Sequence, residues 1–108
     1  MTISEHQAFW TQTAQQDLKR IIEHIAADSD IPARRVYLAI KQKADNLGQM
    51  PLQGRIVPEL KHHSILIYRE LISPPWRIIY KTEENKLWVL AVIDGRRNVE
   101  DLILERFL

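Results

Sequence analysis

The 108-residue chain has no cysteine, only three glycines, and no unbroken apolar run longer than the seven residues Leu87–Ile93. Each shortage excludes something. Without cysteine there is no disulfide framework, no thiolate nucleophile and no sulfur-ligated zinc or iron–sulfur centre. Gly48, Gly54 and Gly95 are too scattered to build a phosphate-cradling loop, so nucleotide binding of the P-loop or Rossmann kind is excluded. A membrane helix needs about 20 apolar residues, and the N-terminus has no basic stretch followed by an apolar run. The expectation is a cytoplasmic protein with no membrane partner. Ser29, Ser64 and Ser73 lie in no Gly-x-Ser-x-Gly turn, so serine hydrolysis has no support.

What is present argues for a folded chain. Apolar residues make up 45% and charged residues 27%, a balance that disordered chains lack. The length suits one domain spanning residues 1–108. The formal net charge of +1 conceals a gradient. Residues 1–54 carry six basic and six acidic side chains, residues 55–97 carry eight and five, and residues 98–108 carry one and three. The cationic excess therefore sits in the second half, ahead of an acidic tail, where it can steer an acidic partner.

Periodicity orders the elements. Ala8–Thr11 reads as a short strand. Leu18, Ile21, Ile22 and Ile25 then follow a helical i, i+3, i+4, i+7 spacing. Thr13 and Gln16 fit a capping box at its start, and Asp17 suits the positive end of the helix dipole. Asp28–Pro32 breaks the chain, and a second helix begins within a residue or two of Pro32. Its stripe is Ala33, Val36, Tyr37, Ile40, Ala44 and Leu47, with Gly48 as a left-handed C-terminal cap before Pro51. The period then changes to strands over 65–72, 76–81 and 87–93, the last apolar on both faces and hence interior. A short acidic-faced helix runs from Asn98 to Leu108. The predicted class is α+β, ordered β-α-α-β-β-β-α, with a helical hairpin on a small antiparallel sheet.

No metal or cofactor is expected. His24 lies off the apolar stripe, His62 and His63 are neighbours that cannot easily face one ion, and no carboxylate stands at a ligand spacing from them or from His6. The informative residues are basic. Arg77 lies mid-strand and Arg96-Arg97 follow the next strand, so a meander can gather all three at one sheet edge. Arginine suits bidentate contact with phosphate or carboxylate. Pairing of Arg77 with Glu70, and of Arg96 with Asp94 or Glu100, accounts for the same residues as structural charge. A groove for a partner segment along the hairpin, lined by Leu18, Ile22, Val36 and Tyr37, stays open against ordinary core packing of those four.

Several segments carry a resemblance. Trp10-Thr11 leading to Ala14 and Asp17-Leu18, Leu47-Gly48 with Pro51 and Gly54, Tyr68-Arg69-Glu70-Leu71, Pro74-Pro75-Trp76-Arg77-Ile78-Ile79-Tyr80 and Gly95-Arg96-Arg97 together resemble the RelE/ParE superfamily of bacterial toxins over about residues 8–107. The resemblance implies the toxin of a type II toxin–antitoxin pair, of the kind linked to plasmid stabilisation, held in a hetero-oligomer by a ParD-like or related antitoxin. In RelE-type mRNA endonucleases two lysines precede the first arginine and a tyrosine or histidine follows the second. Here the arginines match Arg77 and Arg97, Tyr68 and Glu70 stand at the lysine positions, and Ile103 stands near the tyrosine position. That pattern resembles the ParE branch, which implies inhibition of DNA gyrase by binding, with Arg77, Arg96 and Arg97 contacting the target. The alternative is a RelE-like ribosome-dependent mRNA endonuclease using Arg77, Arg97 and Tyr68.

Overall fold

The computed structural model describes residues 7–108; His6 lies outside them. Its elements are β1 (Gln7–Trp10), α1 (Gln12–Ala26), α2 (Asp30–Asn46), β2 (Arg55–Ile56), α3 (Pro58–Lys61), β3 (Arg69–Ser73), β4 (Trp76–Glu83), β5 (Lys86–Asp94) and α4 (Glu100–Phe107). The strands form one sheet in the order β1-β5-β4-β3-β2. The α+β class and the helical hairpin are as expected, with two short elements, β2 and α3, added between the hairpin and the meander.

The sheet is not wholly antiparallel. β2 to β5 alternate in direction, but β1 lies parallel to β5 at the far edge. A parallel neighbour requires a long crossover, which the hairpin and meander together supply. β5 is interior, and both its faces are covered, which explains its continuous apolar run.

Two cores result. On one face the hairpin packs Ala14, Leu18, Ile40, Ala44 and Leu47 against Ile78, Tyr80, Leu87, Val89 and Val92. On the other, α3 and α4 contribute Val57, Leu60 and Ile103 against Ile79, Ala91 and Ile93. A bulge makes both sets of β5 contacts compatible. Ile79 pairs with Ala91 but Tyr80 pairs with Val89, so Leu90 is the extra residue and the alternation of β5 changes phase there.

Local details correct the sequence reading. The cap of α1 is Thr11, whose hydroxyl accepts a hydrogen bond from the Ala14 amide at 3.1 Å, because β1 ends at Trp10 and the helix starts two residues earlier than Thr13 implies. Asp17 consequently falls in the second turn, beyond the favourable reach of the dipole. Gly48 is not a left-handed cap: no described glycine has positive φ. The end of α2 instead tightens, with the amides of Gly48, Gln49 and Met50 each bonding three residues back. Strand β3 begins only at Arg69. Three consecutive apolar residues do not distinguish a strand from a loop, and Leu66 and Ile67 are exposed while Ile65 and Tyr68 turn into the second core.

Candidate functional site

Arg77 is the second residue of β4, near the strand's start rather than in its middle as the sequence suggested, on the face covered by α3 and α4 and beside Ile79. It is 8% exposed. Its Nε donates to Glu70 Oε1 at 2.7 Å, and its two terminal nitrogens donate to the Glu59 carboxylate at 2.8 and 2.7 Å. Glu70 stands two residues along β3 from Ile72, the register partner of Arg77, so it lies diagonally on the same face. Its side chain is fully buried and also accepts from Arg55 Nε at 2.7 Å. Glu59 comes from α3, which Pro58 starts and which sits directly over this face. The outcome is a chain Arg55–Glu70–Arg77–Glu59 with no net charge. The Arg77 hydrogen bonds hold the Glu59 carboxyl below its ordinary value, and those same bonds push the Arg77 guanidinium further up.

Two neighbours fix this cluster from the flanks. A Cβ on Gly95 would approach Arg77 Cγ at 3.1 Å and the Pro75 carbonyl at 3.0 Å. A Cβ on Gly54 would collide with the Glu70 carbonyl and meet the Tyr80 hydroxyl at 2.7 Å. Tyr80 itself donates to the Pro51 carbonyl at 2.8 Å and accepts from the Gly54 amide at 3.0 Å. Burial raises its phenol above the ordinary value.

Arg96 and Arg97 are exposed, on the turn after β5. Arg96 chelates Asp94 through Nε at 3.0 Å and a terminal nitrogen at 2.9 Å, and its guanidinium lies 5.6 Å from the Trp76 ring centre. Arg96 thereby holds the Asp94 carboxyl down at about 2. Trp76 packs toward the hairpin core, so Arg96 and the Arg77 guanidinium lie toward opposite faces. Arg97 makes no ion pair among the described residues. The sequence places three arginines together; the fold keeps Arg96 and Arg97 at the rim and commits Arg77 to carboxylates. Tyr68 is half-buried, its ring 5.0 Å from that of Phe107 in α4.

Beside the rim runs a groove of about 380 Å³ between α1 and α4. Its walls include Arg20, His24, Trp76, Arg96, Arg97 and Arg106. Arg106 is tied down, donating to both oxygens of Asp17 at 2.7 and 2.9 Å, while Asp17 also accepts from the Val92 amide at 3.1 Å. Sequence reasoning missed Asp17 as a hub. The signal was there: it falls three residues after Ala14 inside the apolar stripe. Glu59, by contrast, lies in a stretch without periodicity, and nothing in its spacing marks it.

A second depression, about 680 Å³, lies between β1 and the hairpin and is lined by Phe9, Trp10, Leu18, Ile22, Tyr37 and Lys41. Leu18, Ile22 and Tyr37 of the suggested hairpin groove line it; Val36 packs elsewhere, beside Ser73 and Trp76. The Trp10 indole N–H is buried and has no hydrogen-bond partner among the described residues, and Lys41 Nζ sits 4.6 Å from its ring centre. Among those residues no three of His, Asp and Glu converge as metal ligands do, and His62 and His63 are exposed at the end of α3.

Comparison with known proteins agrees with the fold. The family model for the ParE toxin of type II toxin–antitoxin systems, parDE, matches residues 8–99. Toxin RelE2 of Caulobacter vibrioides is 27% identical over 91 residues, spanning 84% of this chain and 97% of that protein. Among solved structures, the chromosomal ParDE system from P. aeruginosa superposes with a TM-score of 0.68 at 19% identity, covering 84% of this chain and 97% of that one.

Proposed function

This chain belongs to the family of ParE toxins of type II toxin–antitoxin systems, and from that premise we propose that it inhibits DNA gyrase by binding and is neutralised by a ParD-like antitoxin. The observation that carries binding over cutting is the saturation of Arg77. Each of its three guanidinium nitrogens is committed to a carboxylate. A scissile phosphate brought to that centre would face Glu59 and Glu70, and like charges in a partly desolvated site repel by several kcal/mol, about 4 at 4 Å and an effective dielectric constant of 20. Target contact falls instead to Arg96 and Arg97 at the rim. Purified full-length protein is expected to block gyrase supercoiling at micromolar concentration, with Arg97→Gln weakening the block and leaving the melting temperature unchanged. Unaltered supercoiling at micromolar excess removes the reading.

The competing reading is ribosome-dependent mRNA cleavage, for which the name of the Caulobacter relative speaks. It would use Arg77, Arg97 and Tyr68. Against it, Tyr68 is packed on Phe107 and Arg77 is filled. New ends within codons, seen by primer extension after induction, would establish it over gyrase binding.

The antitoxin is expected at the depression beside β1. Its lining sets Phe9, Trp10, Leu18, Ile22 and Tyr37 beside Lys19, Glu23 and Lys41, and a buried indole N–H without an acceptor is costly, on the order of 1–3 kcal/mol. An antitoxin segment carrying apolar side chains and one carbonyl or carboxylate acceptor would satisfy Trp10. Trp10→Phe is expected to weaken the complex more than tenfold in titration; unchanged affinity moves the interface elsewhere.

A further inference from the structure

The groove between α1 and α4 has a composition that the two arginines of the rim alone do not explain. Its two carboxylates are already neutralised, Asp17 by Arg106 and Asp94 by Arg96, each in a two-point contact. What remains is cationic. Arg20 on α1 and Arg97 on the turn after β5 both line the groove, both exposed and neither in an ion pair among the described residues, with His24 one turn beyond Arg20. Glu100 and Asp101 open α4 nearby but do not line the groove. Trp76, half-buried with Arg96 over its ring, adds an aromatic edge.

We propose that this groove binds the phosphodiester backbone of a nucleic acid strand, held by Arg20 of α1 and Arg97 of the turn after β5. Guanidinium forks fit phosphate oxygens in two-point contacts and are weakly hydrated, so little solvation is lost on binding. Trp76, half-buried beside this cationic track, leaves an aromatic edge on which a base can pack. Asp17 and Arg106 form the floor and hold the two helices at a fixed separation, so the groove is present before any ligand arrives. The inference rests on the reading above, that the rim carrying Arg97 faces the target, and adds α1 to that surface.

The test is fluorescence anisotropy of the full chain with a short labelled single-stranded oligonucleotide across a range of salt. Affinity is expected to fall steeply with salt. Arg20→Gln and Arg97→Gln should each lower it about fivefold at 0.1 M salt and flatten the salt slope by about 0.7, the loss of one phosphate contact. Arg34→Gln, exposed on α2 away from the groove, should change neither. Absence of binding, equal losses in all three variants, or equal competition by a polyglutamate of matched charge overturns the proposal. A supercoiling assay in parallel separates the two readings. Gyrase inhibition without oligonucleotide binding defeats only the groove, and oligonucleotide binding with gyrase untouched defeats only the gyrase target.

Discussion

Arg77→Met tests whether the buried ion chain is structure or contact surface. The substitution keeps most of the side-chain volume and removes the charge. It leaves Glu70, with a fully buried side chain, paired only with Arg55, and leaves Glu59 without its two-point partner. Stranding one partner of a buried pair costs about 3–5 kcal/mol. Arg55 is 60% exposed and can follow Glu70, which places the cost near the lower bound, about 3 kcal/mol. Against a total stability of about 5–15 kcal/mol for a domain of this size, that is a large fraction. Adding Glu70→Leu removes the stranded anion and fills the site with apolar volume. Glu59, with its side chain 21% exposed, can then turn to water. The double variant should recover most of the loss and lie within about 1 kcal/mol of the parent. Urea denaturation at neutral pH measures both. A loss below about 1 kcal/mol for Arg77→Met, or a double variant as unstable as the sum of the singles, refutes the argument. If the double variant also still inhibits the target, Arg77 acts through the fold alone.

Three further perturbations probe the same scaffold. Gly54→Ala would drive a Cβ into the Glu70 carbonyl and the Tyr80 hydroxyl, a backbone clash worth about 2 kcal/mol or more, and the melting temperature should fall by several degrees; an unchanged value contradicts the close approach. Asp17→Ala unties α4 and leaves the Val92 amide unpaired, so hydrogen exchange in α4 should quicken more than in β4, and uniform protection would argue against the tether. Glu59 has a folded pKa below its ordinary 4.5, so its contribution is fully present above that value and is lost as pH falls through the folded one. The acid side of the stability curve should therefore be shallower in Glu59→Gln, and parallel curves would show that Glu59 adds nothing there.

How much of this was legible in the sequence follows from which interactions are local. The helices of the hairpin and the meander strands appear in the spacing of Leu18, Ile21, Ile22 and Ile25 and in the turn residues around Pro74-Pro75, because side chains three, four or two apart share a face whatever the rest of the chain does. The pairing of β1 with β5 joins residues about eighty positions apart, and no local pattern reports it. The same holds for the cap at Thr11, whose position depends on where β1 stops pairing with Val89. Ile65–Tyr68 misled for the complementary reason: a run of isoleucine, leucine and tyrosine satisfies a strand pattern, yet here these residues descend to the second core or lie exposed before Arg69.

The candidate site divides along the same line, and the division bears on how a toxin of this family spends its charges. Glu70 was visible as a carboxylate facing Arg77 across two strands, since register alone brings them together. Glu59 was not, because its position depends on α3 folding over the sheet, and it is Glu59 that changes the chemistry. With Glu70 alone, Arg77 would keep both terminal nitrogens partly available for a phosphate. With Glu59 bound in two-point geometry at 2.7 and 2.8 Å, every guanidinium nitrogen already donates to a carboxylate, and the face that could have cradled a phosphate becomes an internal strut fastening α3 to β4. The cations left for a partner are those with no carboxylate bound among the described residues: Arg97 on its turn and Arg20 on α1, both lining the groove where the Asp17–Arg106 bond ties α1 to α4. The fold thus uses four carboxylates to retire four arginines, Arg55, Arg77, Arg96 and Arg106, and by doing so it decides which positive charges are left for a partner.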